Sequence, residues 1–273
     1  MTESQSITSS IEEMVAANGA VDNRETFEAL WAILGEMLVK VQSRFELQAD
    51  PSTADLQPYK QDGGDAGGYL ATYAGPEIDW LVHSWTGNPA ATFTNMHLTI
   101  NLGPQVDVPH FGFALGTVPD LFWYMDYMPR KDLWENPEYA DRYYGGEVND
   151  QYVAMQRESE FKPFVSRDLY TRVAQSPCSI CYGAPDSKAN VALIRQYAHA
   201  QIDRWLAWVD SAPPVPEEQQ AAQAARDLMI RETICERDPA NIVAVNLFGE
   251  ELANRLVRSL YGADRQLPRA IDF

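Results

Sequence analysis

Between Thr92 and Leu102 the chain reads T-F-T-N-M-H-L-T-I-N-L, an alternating pattern. Successive side chains of a strand point to opposite faces, so Met96, Leu98, Ile100 and Leu102 share one side. Phe93, Asn95, His97, Thr99 and Asn101 share the other. The first row is an ordinary core face. The second is a polar row with an imidazole at its centre, and an imidazole titrates near neutral pH, so it can give up a proton and take one back. Such a row suits a solvated sheet face or the floor of a pocket. Helices on both faces of the sheet would leave only a pocket or a buried polar network. A second acid–base candidate is Asp238, which precedes Pro239 at the head of an apolar-periodic run. An aspartate there is a good helix N-cap, and at a helix mouth facing a cleft it also reaches a ligand. His83 shares the run Glu77–Trp85 with Asp79, Leu81 and Trp85, and His110 follows Pro109 at a strand start. Both suit structural or surface roles, and His199, inside a helical pattern, is assigned none.

Other chemistries find less support. Cys178 and Cys181 have metal or redox spacing, but a closed zinc site or a cubane cluster needs four ligands, and Cys235 is the only further cysteine. The pair reads as two thiols on a short apolar strand. The run G-G-D-A-G-G near residue 65 follows no strand and lacks dinucleotide-loop spacing. With 21 basic against 39 acidic residues, the net charge of −18 repels phosphate backbones and anionic membrane surfaces. Three cysteines without a disulfide framework fit a reducing compartment. The acidic first residues lack a secretory or basic transit pattern, so the expected location is cytoplasmic. No run is long enough to span a membrane.

The elements that must position these residues follow from periodicity. Phe27, Leu30, Leu34, Met37 and Val41 recur at three- and four-residue spacing, which predicts an amphipathic helix over Thr26–Leu47. Residues 68–128 carry five strand-like runs separated by short Gly, Pro and Asn punctuation, and loops this short make hairpins. Helical patterns follow over Pro137–Glu160, Lys188–Ser211, Glu217–Cys235 and Pro239–Tyr261. The expected fold is α+β, a three-layer α/β/α sandwich with a central, mostly antiparallel sheet. Residues 1–22 read as a flexible arm or short helix, and 23–273 as a single domain.

The stretch from Tyr124 reads Y-M-D-Y-M-P-R-K-D-L-W-E-N-P-E-Y-A-D-R-Y-Y and, after a gap, F-K-P-F-V-S-R-D-L-Y-T-R-V-A-Q-S-P. Pro109-His110-Phe111-Gly112 precedes it, and C-E-R-D-P-A-N-I-V-A-V-N-L-F-G-E-E-L-A-N-R-L-V-R stands near the C-terminus. This order resembles red chlorophyll catabolite reductase and the related ferredoxin-dependent bilin reductases. The resemblance implies reduction of a linear tetrapyrrole with no bound cofactor. Electrons would come one at a time from ferredoxin, through a substrate radical. It makes His97 and Asp238 the catalytic proton donors. It makes Arg157 the clamp on a substrate carboxylate, with Arg172 and Asn95 as further substrate contacts. Asp126 matches an aspartate that orders the strand end. Ala114 departs from the pattern, since the family carries a carboxylate there; Asp79, Asp120 or His83 could take over if they reach the same pocket. Biliverdin is the expected substrate. Red chlorophyll catabolite, or a non-catalytic carrier role, remains the alternative. Ferredoxin would dock on the less acidic C-terminal region near Arg255 and Arg258.

Overall fold

Short connections make sequence neighbours into spatial neighbours, and the sheet follows from that. The computed structural model describes residues 9–10 and 20–262, apart from 92, 159, 167, 239 and 240. The expected arm over 1–22 therefore lies outside the described residues, save for strand β1 (Ser9–Ser10) and residues 20–22. Helix α1 (Arg24–Arg44) buries Leu30, Ile33, Leu34, Met37, Leu38 and Val41 along one stripe. Strand β2 (Gln48–Ala49), a 3-10 turn (Pro51–Leu56) and β3 (Tyr59–Lys60) lead into a meander. It comprises β4 (Gly67–Ala74), β5 (Ile78–Gly87), β6 (Thr94–Leu102), β7 (His110–Thr117) and β8 (Leu121–Met128). Then come α2 (Pro137–Tyr144), α3 (Glu147–Met155), β9 (Lys162–Val165), α4 (Leu169–Ala174) and β10 (Ile180–Ala184). Helices α5 (Lys188–Ser211), α6 (Glu217–Arg237), α7 (Asn241–Phe248) and α8 (Glu250–Tyr261) complete the described chain.

The sheet runs β1-β9-β10-β8-β7-β6-β5-β4-β2, with β3 also on β4. Every pair is antiparallel except β1 with β9. Registered rows of side chains build the core on one face. Leu98, Phe113, Met125 and Ile180 stand side by side across four strands, as do Met96, Leu115, Trp123 and Tyr182, all buried. Helices α1 and α5 pack together over this face. Trp205 of α5 is fully buried against Phe45 and Phe111 and donates its indole N–H to the Pro109 carbonyl at 2.9 Å. Helices α4, α6 and α8 pack on one another at the opposite face, with α7 against α8. The α+β class and the antiparallel sheet expected from the sequence are the ones observed.

Two expected helices are each broken in two. Pro137–Glu160 divides at Gly145-Gly146, and Pro239–Tyr261 divides at Gly249. Gly146 and Gly249 have φ of +54° and +78°, a left-handed conformation that glycine adopts without the Cβ clash. Arg130, beside Lys131 in the sequence, is not the solvated residue that such a basic pair suggests. It is 2% exposed. Its Nη2 and Nε donate to Asp227 Oδ2 at 2.6 and 3.1 Å, and its Nη1 and Nη2 donate to the carbonyls of Val106 and Gly103. This joins α6 to the β6–β7 connection at the end of the sheet. Burial works to raise the pKa of Asp227, but His110 and Arg130 beside it outweigh that and hold the carboxyl well below its ordinary range. A carboxylate depressed in this way stabilises the fold above its unfolded pKa, and that contribution fades as pH falls below about 4. Removing one member of a buried ion pair costs roughly 3–5 kcal/mol. We expect Asp227→Ala to lower the urea-unfolding free energy by about that much and Arg130→Met with Asp227→Leu to recover most of it. A loss for Asp227→Ala no larger than that of an exposed substitution would contradict the clamp.

Candidate active site

The face of the sheet turned away from α1 and α5 does not pack solid. Between it and α4, α6, α7 and α8 lies a cavity of two lobes, with volumes of about 160 and 250 Å³. Combined, they fall in the several-hundred-Å³ range of small-molecule sites. Asn95, His97, Asp238, Leu260 and Tyr261 line both lobes, so these residues stand at the waist where the lobes meet. One lobe is walled by Tyr59, Phe93 and Phe248, and the other by Phe122, Tyr124 and Phe164.

The strand period puts His97 there. It lies mid-strand on β6, in register with Ser84 of β5 and Ala114 of β7, and Ala114 in turn faces Tyr124 of β8. Burial pushes the His97 pKa down to about 4, so the ring is neutral at pH 7. A ring so buried holds a proton only weakly, and negative charge arriving on a ligand beside it would raise its pKa. Asp238 follows the last turn of α6, and Tyr261 of α8 donates its hydroxyl to Asp238 Oδ2 at 3.0 Å. Asn95 keeps a buried Oδ1 without a hydrogen-bond partner. His97, Asp238 and Asn95 are thus brought together as expected.

Arg157 and Arg172 are not. Arg157 is exposed beyond the end of α3, and Arg172 is exposed on α4 with Nη1 on the Ser166 carbonyl at 2.7 Å. Neither lines the cavity. The arginine that does is Arg231 of α6. Its Nη2 meets Asp79 Oδ2 at 2.7 Å, while Nε and Nη1 are buried without partners. A signal for it is present in the sequence: Asp227, Arg231 and Asp238 recur at helical spacing, a charged stripe where an apolar one would ordinarily be buried.

The candidates to replace the acid missing at Ala114 also separate. The register of β5 shifts between Ile78 and Trp80, a bulge that turns Asp79 away from Leu81, His83 and Trp85. His83 consequently faces α1, stacked on Trp31 at 4.1 Å between ring centroids, with its pKa pushed down by burial to about 4. Asp120 is exposed and accepts from the Asp186 N–H. His110 is buried and lines the cavity, not the solvent end of its strand. Its Nδ1 accepts from the Leu102 N–H at 3.0 Å, which leaves the proton on Nε2, 3.3 Å from Asp227 Oδ1. That tautomer belongs to the clamp on α6. Cys178 packs in the core on one face while Cys181 lines the cavity on the other, so the two thiols do not converge. Among the described residues no cluster of three or more His, Cys, Asp or Glu could hold a metal, and no helix is long and apolar enough to cross a membrane.

Comparison with known proteins agrees with this geometry. The family model of red chlorophyll catabolite reductase (RCC reductase) matches residues 31–261. Red chlorophyll catabolite reductase of Hordeum vulgare is 27% identical over 200 residues, 67% of this chain and 96% of that protein. The chloroplastic enzyme of Arabidopsis thaliana is 24% identical over 249 residues, 84% of this chain and 78% of that protein. The crystal structure of phytochromobilin synthase from tomato in complex with biliverdin has the same fold, with a TM-score of 0.74 at 15% identity over 88% of this chain and 85% of that one. A match over most of the described chain, and relatives of nearly full length, lead to one conclusion: the chain belongs to the red chlorophyll catabolite reductase family.

Proposed function

We propose that this protein reduces an open-chain tetrapyrrole, with single electrons from ferredoxin and protons from the cavity. The observation that carries this reading is the waist: His97 and Asp238 line the same two-lobed, aromatic-walled space. A flat conjugated ligand needs such walls, and enclosure shields a reactive radical from water. Each electron added to the pigment makes it more basic, so reduction proceeds as electron then proton. One proton would come from Asp238. The other would pass through His97, whose neutral ring first hydrogen-bonds the pigment and then exchanges a proton as negative charge builds beside it. The substrate-carboxylate role expected of Arg157 and Arg172 passes to Arg231, which lines the cavity and has two N–H groups without hydrogen-bond partners.

Family membership favours red chlorophyll catabolite as substrate. Biliverdin is the second reading, supported by the shared fold of the tomato synthase with that ligand and by His97 at the waist. A carrier would also bind such a pigment. Anaerobic incubation of the protein with each pigment, ferredoxin and a reducing system separates these readings. A reductase bleaches or shifts the pigment absorption progressively; binding that only perturbs the spectrum would overturn the catalytic reading.

Loss of a positioned acid or base costs about 10²–10⁴-fold. We therefore expect His97→Gln and Asp238→Asn each to slow reduction by roughly 100-fold or more, or to redirect the product, with pigment affinity within a few-fold of wild type. Wild-type rate and product in His97→Gln would remove the imidazole from the chemistry. For Arg231→Met, titration of pigment absorption should give affinity lower by about tenfold, near 1.4 kcal/mol; unchanged affinity would show that Arg231 makes no ligand contact.

A further inference from the structure

We propose that Tyr124 and Asp126 form a second proton-delivery pair for this cavity, Tyr124 giving the proton to the ligand and Asp126 acting through it. This rests on the tetrapyrrole-reductase reading and names a further residue for that reaction. On β8 the two share the cavity face of the sheet. Tyr124 is in register with Ala114, two strands from His97, and Asp126 is in register with Gly112. The methyl of Ala114 and the absence of a side chain at Gly112 leave room for the phenol. A Cβ at Gly112 would stand 3.0 Å from Tyr124 Cε1 and 3.3 Å from its hydroxyl.

Tyr124 lines the cavity, and its hydroxyl lies 3.1 Å from Asp126 Oδ2. The same oxygen accepts the Ser176 N–H at 2.9 Å, while Oδ1 is buried with no partner. A carboxylate with one bare, buried oxygen is poorly solvated as an anion. The titratable side chains near enough to interact with it are Tyr124 and Cys181 on the cavity face and Tyr127, Tyr144 and Cys178 on the core side. Burial pushes all five up, so each is neutral near pH 7 and none stabilises the anion by charge. Accordingly, burial raises Asp126 to about 6.

The hydrogen bond between the pair has two directions. When Asp126 is ionised, the Tyr124 O–H is held on the carboxylate and the cavity faces an oxygen lone pair. When Asp126 is protonated on Oδ2, that proton is donated to the Tyr124 oxygen and the phenolic O–H is released toward the ligand. In the proposed step the ferredoxin iron–sulfur centre loses one electron to the pigment. The Tyr124 O–H bond then breaks as its proton bonds to the pigment. The Asp126 O–H bond breaks as its proton moves to the phenolic oxygen. The pigment gains one electron and one proton, and Asp126 is left as carboxylate, reprotonated from solvent before the next turnover.

The test is the pH profile of anaerobic single-turnover reduction from pH 5.5 to 8.5, with pigment affinity measured beside it. Wild type should speed up as pH falls, with a midpoint near 6. Tyr124→Phe should lose about 100-fold in rate with affinity kept within a few-fold, and should lose that midpoint. In Asp126→Asn the amide oxygen keeps the Ser176 N–H and, unable to carry a proton, holds the Tyr124 O–H at every pH. The phenol is then never released to the ligand, and the rate should stay low and independent of pH in this range. A merely structural Asp126 predicts a weaker fold with the acid limb intact. Tyr124→Phe with wild-type rate and profile would overturn the pair while the reductase reading stands. If wild type binds the pigment but reduces nothing, the reductase reading falls. The pair is then decided by the absorption of the bound pigment, whose pH dependence near 6 should vanish in Tyr124→Phe; an unchanged titration overturns it.

Discussion

A guanidinium buried at the end of the sheet is the constraint on which the rest depends. Arg130 leaves β8 and binds Asp227 of α6 together with the carbonyls of Gly103 and Val106. Several of its donors are thereby satisfied inside the protein, which is the condition for burying a charge at all. Because Asp227 is answered in this way, α6 is fixed in both height and rotation over the sheet. One turn further along the same helix is Arg231, and at its end is Asp238. The distance between sheet and helices is therefore set by an ionic contact at one end, and the middle is left open as a cavity.

The two faces of the sheet then divide the work. One is closed by Leu, Ile, Met and aromatic rows against α1 and α5. The other presents His97, Asn95 and Tyr124 to a buried cavity that also holds Asp238 and Arg231. In such surroundings protonation states depart from their values in water, and in a consistent direction. His97 is pushed to neutral and Asp126 is pushed toward its acid form. Burial disfavours the charged form of both, and each can answer a charge that arrives on a ligand.

Much of this was legible in the sequence, for physical reasons. The alternation of β6 assigned His97 and Asn95 to one face without knowledge of any neighbour, because the strand period is local. Helix α5 was read with its observed limits, since Ser187 caps it, accepting from the Asn190 N–H. What escaped depended on contacts between distant segments. Arg130 next to Lys131 looks like a solvated pair until a partner 97 residues away is folded onto it. The bulge in β5 inverts the side on which Asp79 emerges, and alternation alone cannot register an inserted residue. Arg157 and Arg172 were assigned by resemblance to a motif; the fold turns both to the surface.

The order of the strands has a further consequence. Among the described residues the ten-stranded sheet ends at β1 on one side and at β2 and β3, both on β4, on the other, and each is two residues long. Open backbone donors and acceptors at a sheet margin are templates for pairing with another molecule, and very short margins offer little to pair with. With a net charge of −18 adding mutual repulsion, two such molecules meeting edge to edge have almost no ladder to extend. A sheet wide enough to floor a cavity of this size can in this way remain unattractive to its own copies.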